Sequence, residues 1–191
     1  MNAVSHALPP FTGAVLAGGH ARRFATDKCL HVYRGATLLE HALQTLRAAQ
    51  ERLIVGRPRA AMATVRWIPD VHPGHGATSG LHAALAAATH DWVAIVGCDM
   101  PFLPPVIWPL LFAHADGVQI VVPESADGLE PLAALYHRDV LTTVEQRLQT
   151  GGSPMRWLLK DVSSRIVVWS DLQAHLPANA FLNANRPEDL P

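Results

Sequence analysis

The sequence predicts an α/β fold in which a mostly parallel sheet is covered by helices on both faces. Three observations support this prediction. Short apolar runs alternate with helical stretches along the whole chain. Residues 12–17 form an apolar run that ends at the glycine pair Gly18 and Gly19. Residues 92–96 are apolar without interruption, which is typical of a strand buried on both faces.

The predicted elements follow one another in a regular order. Strands are predicted over residues 12–17, 52–55, 64–68, 92–96, 118–122, 132–136 and 165–169. Helices are predicted over residues 36–49, 79–88, 104–115, 140–148 and 155–159. The first of these helices places Leu38, Ala42 and Leu46 on one apolar face, and Pro104 and Pro105 suit a helix N-terminus.

Length and composition indicate one globular domain. The 191 residues are within reach of a single core, and 49% hydrophobic against 16% charged residues argues against disorder. We expect a flexible lead-in over residues 1–10, which lacks the features of a signal peptide, and a domain over residues 11–191. The net charge of −1 argues against a nucleic-acid binder and against a protein of anionic membrane surfaces.

The cysteine content favours a reducing compartment. Cys29 and Cys98 are far apart and form no CxxC motif, whereas an oxidised secreted scaffold uses more cysteines. We interpret both as small buried side chains rather than nucleophiles. Since no window approaches about 20 uninterrupted apolar residues, the sequence predicts a cytoplasmic protein without a membrane span.

The loop after the first strand carries the residues that a phosphate ligand needs. Ligands of parallel sheets bind beyond the carboxyl ends of the strands, and here Gly18 and Gly19 allow the backbone to approach a ligand closely. Arg22, Arg23 and Lys28 add positive charge, which suits the roughly four negative charges of a triphosphate. The motifs GxxxxGK[ST] and GxGxxG are absent. The alternative is a glycine-rich turn with solvated basic residues.

Two aspartates follow other predicted strands. Asp99 lies just beyond the central apolar run, where a carboxylate needs a partner. Mg²⁺ is a natural one, because it takes only one or two protein carboxylates besides waters and substrate phosphates. The alternative is an N-cap for the next helix. Asp70 follows the strand predicted over residues 64–68; it could bind a ribose hydroxyl or a base, and it could equally cap the glycine-rich turn that follows.

Three motifs together resemble the molybdenum cofactor guanylyltransferases, a family of nucleotidyltransferases. Residues 16–28 read LAGGHARRFATDK, which is similar to the family signature LAGGxSxRMGxDK. Residues 98–103 read CDMPFL and match a second motif, and residues 181–190 read FLNANRPEDL, which resembles the ending FxNxNTPEDL. The three motifs occur in the expected order and span essentially the whole chain.

The resemblance implies a single-domain, Rossmann-like three-layer αβα sandwich that transfers GMP from GTP to molybdopterin with Mg²⁺ and releases pyrophosphate. By this resemblance, Arg23, Lys28 and Asp99 would be catalytic, and Asp99 would hold the metal. The nucleotide would contact Leu16, Ala17, Gly18, Gly19, Lys28, Asp70 and Asp99. Asn183 and Asn185 would lie toward the acceptor or the metal. Whether molybdoenzyme-maturation proteins are partners stays open.

The sequence also departs from the family pattern. Ala25 replaces the glycine expected after Phe24, and residues 76–80 read GATSG where the family usually has GPLxG. Gly56 stands where some members carry an asparagine that touches the nucleotide. Two alternatives therefore stay open: a related nucleotidyltransferase that uses CTP or a sugar or polyol phosphate acceptor, and a non-catalytic nucleotide-binding relative. Residues 16–19 read LAGG, whereas relatives that use CTP usually show LAAG. This difference favours a guanine nucleotide.

Overall fold

The structure, a computed structural model, describes residues 8–18, 27–58, 65–72, 74–151 and 154–190. The strands within these ranges are β1 (Phe11–Leu16), β2 (Val32–Tyr33), β3 (Ala36–Thr37), β4 (Glu51–Val55), β5 (Arg66–Ile68), β6 (Trp92–Gly97), β7 (Ile120–Ser125), β8 (Gly128–Leu129), β9 (Ala133–His137) and β10 (Ser164–Val167). The α-helices are α1 (Leu38–Thr45), α2 (Gly76–Ala87), α3 (Ile107–Phe112), α4 (Leu141–Gln149) and α5 (Trp169–Leu172).

One mixed sheet forms the centre of the molecule, with the strand order β10-β7-β9-β6-β1-β4-β5. The β1–β4, β1–β6, β4–β5 and β7–β10 pairs are parallel, whereas β9 runs antiparallel to both β6 and β7. The predicted mostly parallel sheet is thus confirmed, with β9 as the reversed strand. Because β9 is reversed, its first residues lie at the same edge as the carboxyl ends of β1 and β6.

Two apolar layers cover the faces of the sheet. Val15 of β1 and Val96 of β6 pack with α1, α3 and α5 on one face, and Leu16 and Ile95 pack with α2 and α4 on the other. Neighbouring residues of a strand point to opposite faces, so the apolar side chains of these strands divide between the two cores. The predicted three-layer sandwich is confirmed.

Helix α1 is shorter than the predicted span of 36–49 because a hairpin precedes it. Strands β2 and β3 pair antiparallel, and Thr37 ends the hairpin as the N-cap of α1. Its hydroxyl accepts a hydrogen bond from the Glu40 amide while the Glu40 carboxylate accepts one from the Thr37 amide, which forms a capping box. The helix ends at Thr45, whose hydroxyl donates to the carbonyl of Leu103.

Several other predicted boundaries were wrong. The helix predicted over 104–115 is Ile107–Phe112, because two prolines precede it and only tighter turns flank it. The helix predicted over 155–159 is a 3₁₀ segment, Met155–Lys160. Helix α2 begins three residues earlier than predicted, and β7 extends to Ser125 because its end pairs with β8. The hairpin β2–β3, strand β8 and helix α5 were not predicted.

Each helix of the described ranges is too short or too polar to cross a membrane. Residues 1–7 of the expected lead-in lie outside the described residues. The remaining three, Leu8 to Pro10, run directly into β1, and Leu8 packs against the core.

Candidate nucleotide site

The two loops that the sequence singled out leave the sheet side by side. Strands β1 and β6 are adjacent and parallel, with Leu16 opposite Gly97. The amide of Cys98 donates to the carbonyl of Leu16 at 3.2 Å, which extends the pairing by one residue. Gly18 and Asp99 are the next residues of the two loops, so both lie at the carboxyl edge of the sheet, where parallel sheets bind ligands.

Lys28 connects the three motifs. Its ammonium Nζ lies 2.9 Å from Asp99 Oδ2 and 3.2 Å from Asn185 Oδ1. The side chains of Lys28 and Asp99 are only 14% and 25% exposed, so this ion pair lies in a partly desolvated position. Residues more than 150 positions apart in the sequence thus meet at one point.

The C-terminal segment is tied to the Asp99 loop by its backbone. The amide of Ala184 donates to the carbonyl of Asp99 at 2.8 Å. The Asp189 carboxylate then accepts hydrogen bonds from the amides of Asn185 and Arg186 at 2.7 and 2.8 Å. Asn185 is therefore held beside Lys28, whereas the side-chain Nδ2 of Asn183 donates to the carbonyl of Phe181 at 3.4 Å.

Lys28 itself begins a short 3₁₀ turn, Lys28–Leu30. The carboxylate of Asp27 accepts a hydrogen bond from the amide of Cys29 at 3.1 Å, so Asp27 serves as the N-cap of this turn. The thiol of Cys29 is buried against the carbonyl of Ala17 at 3.8 Å. These contacts position the Lys28 backbone and show that Cys29 is a packing residue.

The backbone at the end of β1 is only partly available to a ligand. The amide of Ala17 donates to the carbonyl of Val55 at 2.9 Å, and Leu16 and Ala17 are at most 9% exposed. Gly18, in contrast, is exposed, and a Cβ added there would meet none of the described atoms within 4 Å. Among residues 16–18, Gly18 is therefore the exposed position.

Two glycines make room at this edge. A Cβ added at Gly97 would lie 2.6 Å from Asp99 Oδ1, so the missing side chain leaves space for the carboxylate. Gly56 has a φ of +140°, which side chains rarely permit, and a Cβ there would lie 3.0 Å from the backbone of Ala17. Gly56 therefore lets the chain after β4 pack closely against the backbone of Ala17.

Asp70 has local partners. Its Oδ1 accepts a hydrogen bond from the amide of His72 at 3.0 Å and another from the hydroxyl of Ser79 near the start of α2. The first bond is the turn-capping geometry that the sequence left open. Ser79 lies in the GATSG segment, whose Gly80 allows α2 to pack on Leu16, since a Cβ there would lie 3.2 Å from Leu16 Cδ1.

Glu130 lies near this edge and was not predicted. It precedes β9, and its Oε1 accepts a hydrogen bond from the hydroxyl of Ser125 at 2.7 Å. Burial raises the pKa of the Glu130 carboxyl above its usual range; the Ser125 hydroxyl opposes this, and the negative charges of Asp127 and Asp99 add to it. No local signal could reveal this proximity, because it depends on the antiparallel pairing of β9 with β6.

The predicted site residues Gly19 and Arg23 lie outside the described residues, as do Arg22 and Ala25. Across the described part of the chain, no group of three or more His, Cys, Asp or Glu side chains is arranged to hold a metal ion. The oxygen atoms of Asp99 and Asn185 are hard ligands of the kind that Mg²⁺ prefers, and Mg²⁺ completes its shell with waters and phosphates. These two side chains fit such an ion.

Comparison with known proteins gives consistent matches. A family model described as the MobA-like NTP transferase domain matches residues 13–166. A probable molybdenum cofactor guanylyltransferase of Deinococcus radiodurans is 37% identical over 95% of this chain and 92% of its own length. A molybdenum cofactor guanylyltransferase of Aliivibrio salmonicida is 31% identical over 92% and 91%. The crystal structure of molybdopterin-guanine dinucleotide biosynthesis protein A from Archaeoglobus fulgidus superposes with a TM-score of 0.80, at 26% identity and 94% coverage of both chains.

Proposed function

The chain belongs to the MobA-like NTP transferase family, and from this premise we propose that it transfers GMP from GTP to the molybdopterin form of the molybdenum cofactor. The products are the guanine dinucleotide cofactor and pyrophosphate. One observation carries the proposal: the three motifs meet where Lys28 contacts both Asp99 and Asn185. The relatives named as molybdenum cofactor guanylyltransferases support the choice of GTP and of the acceptor.

The reaction is a nucleotidyl transfer in which the protein positions the reactants and supplies charge. An oxygen of the acceptor phosphate attacks the α-phosphorus of GTP, a new phosphorus–oxygen bond forms, and the bond to the β-phosphate oxygen breaks. The electron pair leaves with pyrophosphate. Because the attacking phosphate is already ionised near neutral pH, no general base is needed, and catalysis rests on alignment of the reactants and on neutralisation of charge.

Each site residue has a part in this proposal. Lys28 and Arg23 stabilise the departing pyrophosphate by their positive charge. The exposed Gly18 and the adjacent Gly19 let the nucleotide approach the end of β1, with Leu16 and Ala17 forming the floor beneath it. Asp70 binds the nucleoside, and Asn183 and Asn185 lie on the acceptor and metal side.

Asp99 and Asn185 would hold a divalent metal, which we propose to be Mg²⁺. Such an ion would offset the charge that develops on the α-phosphate. We also propose a cytoplasmic location, in which both cysteines stay reduced; Cys29 and Cys98 are buried and are not joined by a disulfide.

A direct assay tests the proposed function. The purified protein is incubated with MgCl₂, molybdopterin cofactor and one of GTP, CTP, UTP or ATP, and pyrophosphate release is measured together with the mass of the product. We expect pyrophosphate and the guanine dinucleotide with GTP, and loss of both when molybdopterin or the metal is omitted. Preferred use of CTP would identify a cytidylyltransferase, and tight GTP binding without turnover would identify a nucleotide-binding relative; either result contradicts the proposal.

A further inference from the structure

The ammonium of Lys28 lies where two hard oxygen ligands converge. Asp99 Oδ2 comes from the loop after β6 and Asn185 Oδ1 from the C-terminal segment, and Nζ is 2.9 and 3.2 Å from them. We call the point between these two oxygens the cation position. A carboxylate and an amide oxygen are typical ligands of a divalent cation, yet in this structure a lysine ammonium occupies the point between them.

We propose that Lys28 holds the cation position in the nucleotide-free protein and gives it up to the divalent metal, which takes Asp99 and Asn185 as its two protein ligands. This inference rests on the proposed function and adds one feature to it. Lys28 becomes a competitor of the metal for Asp99 and Asn185 until the triphosphate arrives.

The Lys28 ammonium and the divalent metal cannot share the cation position, because both are positively charged. An ammonium and a divalent cation on the same two oxygens would repel each other strongly in a partly desolvated position. An empty cation position is also unfavourable, because it would leave the Asp99 carboxylate, whose side chain is only 25% exposed, without its counter-ion. One cation is therefore required, and Lys28 supplies it when no metal is bound.

The exchange requires only a side-chain rotation. The Lys28 backbone belongs to the 3₁₀ turn that Asp27 caps, and Cys29 anchors that turn beneath Ala17. Lysine carries its charge on a flexible four-carbon stem, so Nζ can leave the two oxygens while its backbone stays in place. The bound triphosphate offers the displaced ammonium new anionic partners, so nucleotide and metal should promote each other's binding.

The asparagine pair of the C-terminal segment supplies a matched control. The side chain of Asn185 contacts Lys28, whereas the side-chain Nδ2 of Asn183 donates to the backbone carbonyl of Phe181 in the same segment. If Asn185 is a metal ligand, Asn185→Ala should weaken metal binding, and Asn183→Ala should leave it nearly unchanged. A purely structural role of the segment would make both substitutions act alike.

The two lysines of the chain supply a second matched pair. Lys160 lies over the ring of Trp157, with Nζ 4.4 Å from the ring centre, in the 3₁₀ segment Met155–Lys160. Lys28→Met and Lys160→Met change the net charge equally, but only Lys28→Met vacates the cation position. Lys28→Arg keeps the charge and should preserve the competition.

The experiment measures binding of Mn²⁺ alone to the nucleotide-free protein, by the electron paramagnetic resonance signal of the free ion. We expect Lys28→Met to tighten Mn²⁺ binding about tenfold or more, since it removes a positive charge next to a divalent ion. Lys160→Met and Lys28→Arg should stay within about twofold of the unaltered protein. Asn185→Ala in the Lys28→Met background should reverse most of the gain. Circular dichroism verifies that each variant is folded.

A further variant separates this inference from the proposed function. Asp99→Asn should abolish specific Mn²⁺ binding in either background. Suppose that Asp99→Asn abolishes Mn²⁺ binding but Lys28→Met binds Mn²⁺ no better than the unaltered protein. The proposed exchange between Lys28 and the metal is then wrong, and the proposed metal site at Asp99 is retained. If Asp99→Asn binds Mn²⁺ normally, the metal lies elsewhere, and both the exchange and the proposed metal role fail. Equal effects of Asn183→Ala and Asn185→Ala on Mn²⁺ binding would show that Asn185 is not a metal ligand.

Discussion

Two carboxylates at opposite edges of the same sheet have very different partners. Glu51 begins β4 at the amino edge, and its Oε2 accepts hydrogen bonds from the Thr12 hydroxyl and from the amide and hydroxyl of Thr89 at 2.8–2.9 Å. Its Oε1 accepts one from Arg66 at 2.8 Å. At the carboxyl edge, Asp99 Oδ2 pairs with the flexible Lys28.

This difference distinguishes a structural carboxylate from one whose neighbouring cation can be exchanged. The donors around Glu51 belong to the sheet or to the turn after α2, and they stay where the fold puts them. Burial acts to raise the pKa of Glu51, but the hydrogen bonds from Thr89 and Thr12 and the charge of Arg66 outweigh it and hold the pKa below its usual range. The Lys28 ammonium beside Asp99 can instead be replaced by another cation.

The largest effect is expected for Asp99→Ala. This change removes the carboxylate of the proposed metal site, so guanylyl transfer should fall about a thousandfold, comparable to the loss of a main charge-stabilising group. The melting temperature should change by only a few degrees, because the backbone contacts of Asp99 remain. Steady-state turnover and thermal melts provide the two measurements. Turnover near that of the unaltered protein would exclude Asp99 from the chemistry.

Glu51→Ala should give the opposite result. It leaves the donors at the amino edge without their acceptor, and we expect a loss of about 2 kcal/mol in the free energy of unfolding with unchanged turnover. Urea unfolding provides the measurement. Because the pKa of Glu51 is lowered by folding, its stabilisation is present above the unfolded pKa of about 4.3 and is lost as the pH falls through the folded pKa. The stability difference between the two proteins should therefore shrink on acidification; a constant difference would contradict the assignment.

Asp70 lies between these two cases. It follows β5 at the carboxyl edge, yet its Oδ1 is engaged by the His72 amide and the Ser79 hydroxyl. If it also binds the nucleoside, Asp70→Ala should raise the KM for GTP about tenfold with little change in kcat, which is the signature of lost uniform binding. Ser79→Ala is the control, because it removes the hydrogen bond and keeps the carboxylate. An unchanged KM in Asp70→Ala would leave Asp70 with only its turn-capping role.

Much of the fold could be predicted because parallel strands buried on both faces appear as apolar runs. The core strands β1 and β6 were found this way, and the rule that ligands bind at carboxyl ends selected the edge of the sheet at which the motif residues meet. The hairpin β2–β3 and strand β8 were missed because strands of two residues carry no periodicity. The end of α3 was misplaced because local propensity does not show where tertiary packing ends a helix.

The sequence selected residues that meet at this edge of the sheet, but it did not show their contacts. The motif resemblance selected Lys28, Asp99 and Asn185, and the structure places them in contact. The sequence could not predict that Lys28 contacts both other residues, because Asp99 and Asn185 are 71 and 157 positions away from it along the chain. The occupied amide of Ala17 and the steric role of Gly56 likewise depend on the neighbouring strand β4.

The smallest expected effect concerns Glu130, a third carboxylate whose environment disfavours its charge. Its pKa is raised, first by burial and then by the charges of Asp127 and Asp99 against the hydrogen bond from Ser125. Its favourable contribution to stability is therefore fully present below the unfolded pKa and is lost as the pH rises through the folded pKa. Glu130→Gln keeps an acceptor for Ser125 and removes the charge, so it should raise the free energy of unfolding at pH 7 by less than about 1 kcal/mol.

That gain should disappear as the pH falls below about 4, where the glutamate is itself neutral. Thermal melts of both proteins between pH 3.5 and 8 provide the measurement, and turnover measured in parallel separates electrostatics from chemistry. A stability gain with unchanged turnover would mean that the Glu130 carboxylate modulates the field around Asp99 without touching the reactants. A gain that persists in acid would assign the effect to packing, and a large loss of turnover would add Glu130 to the site beside Asp99.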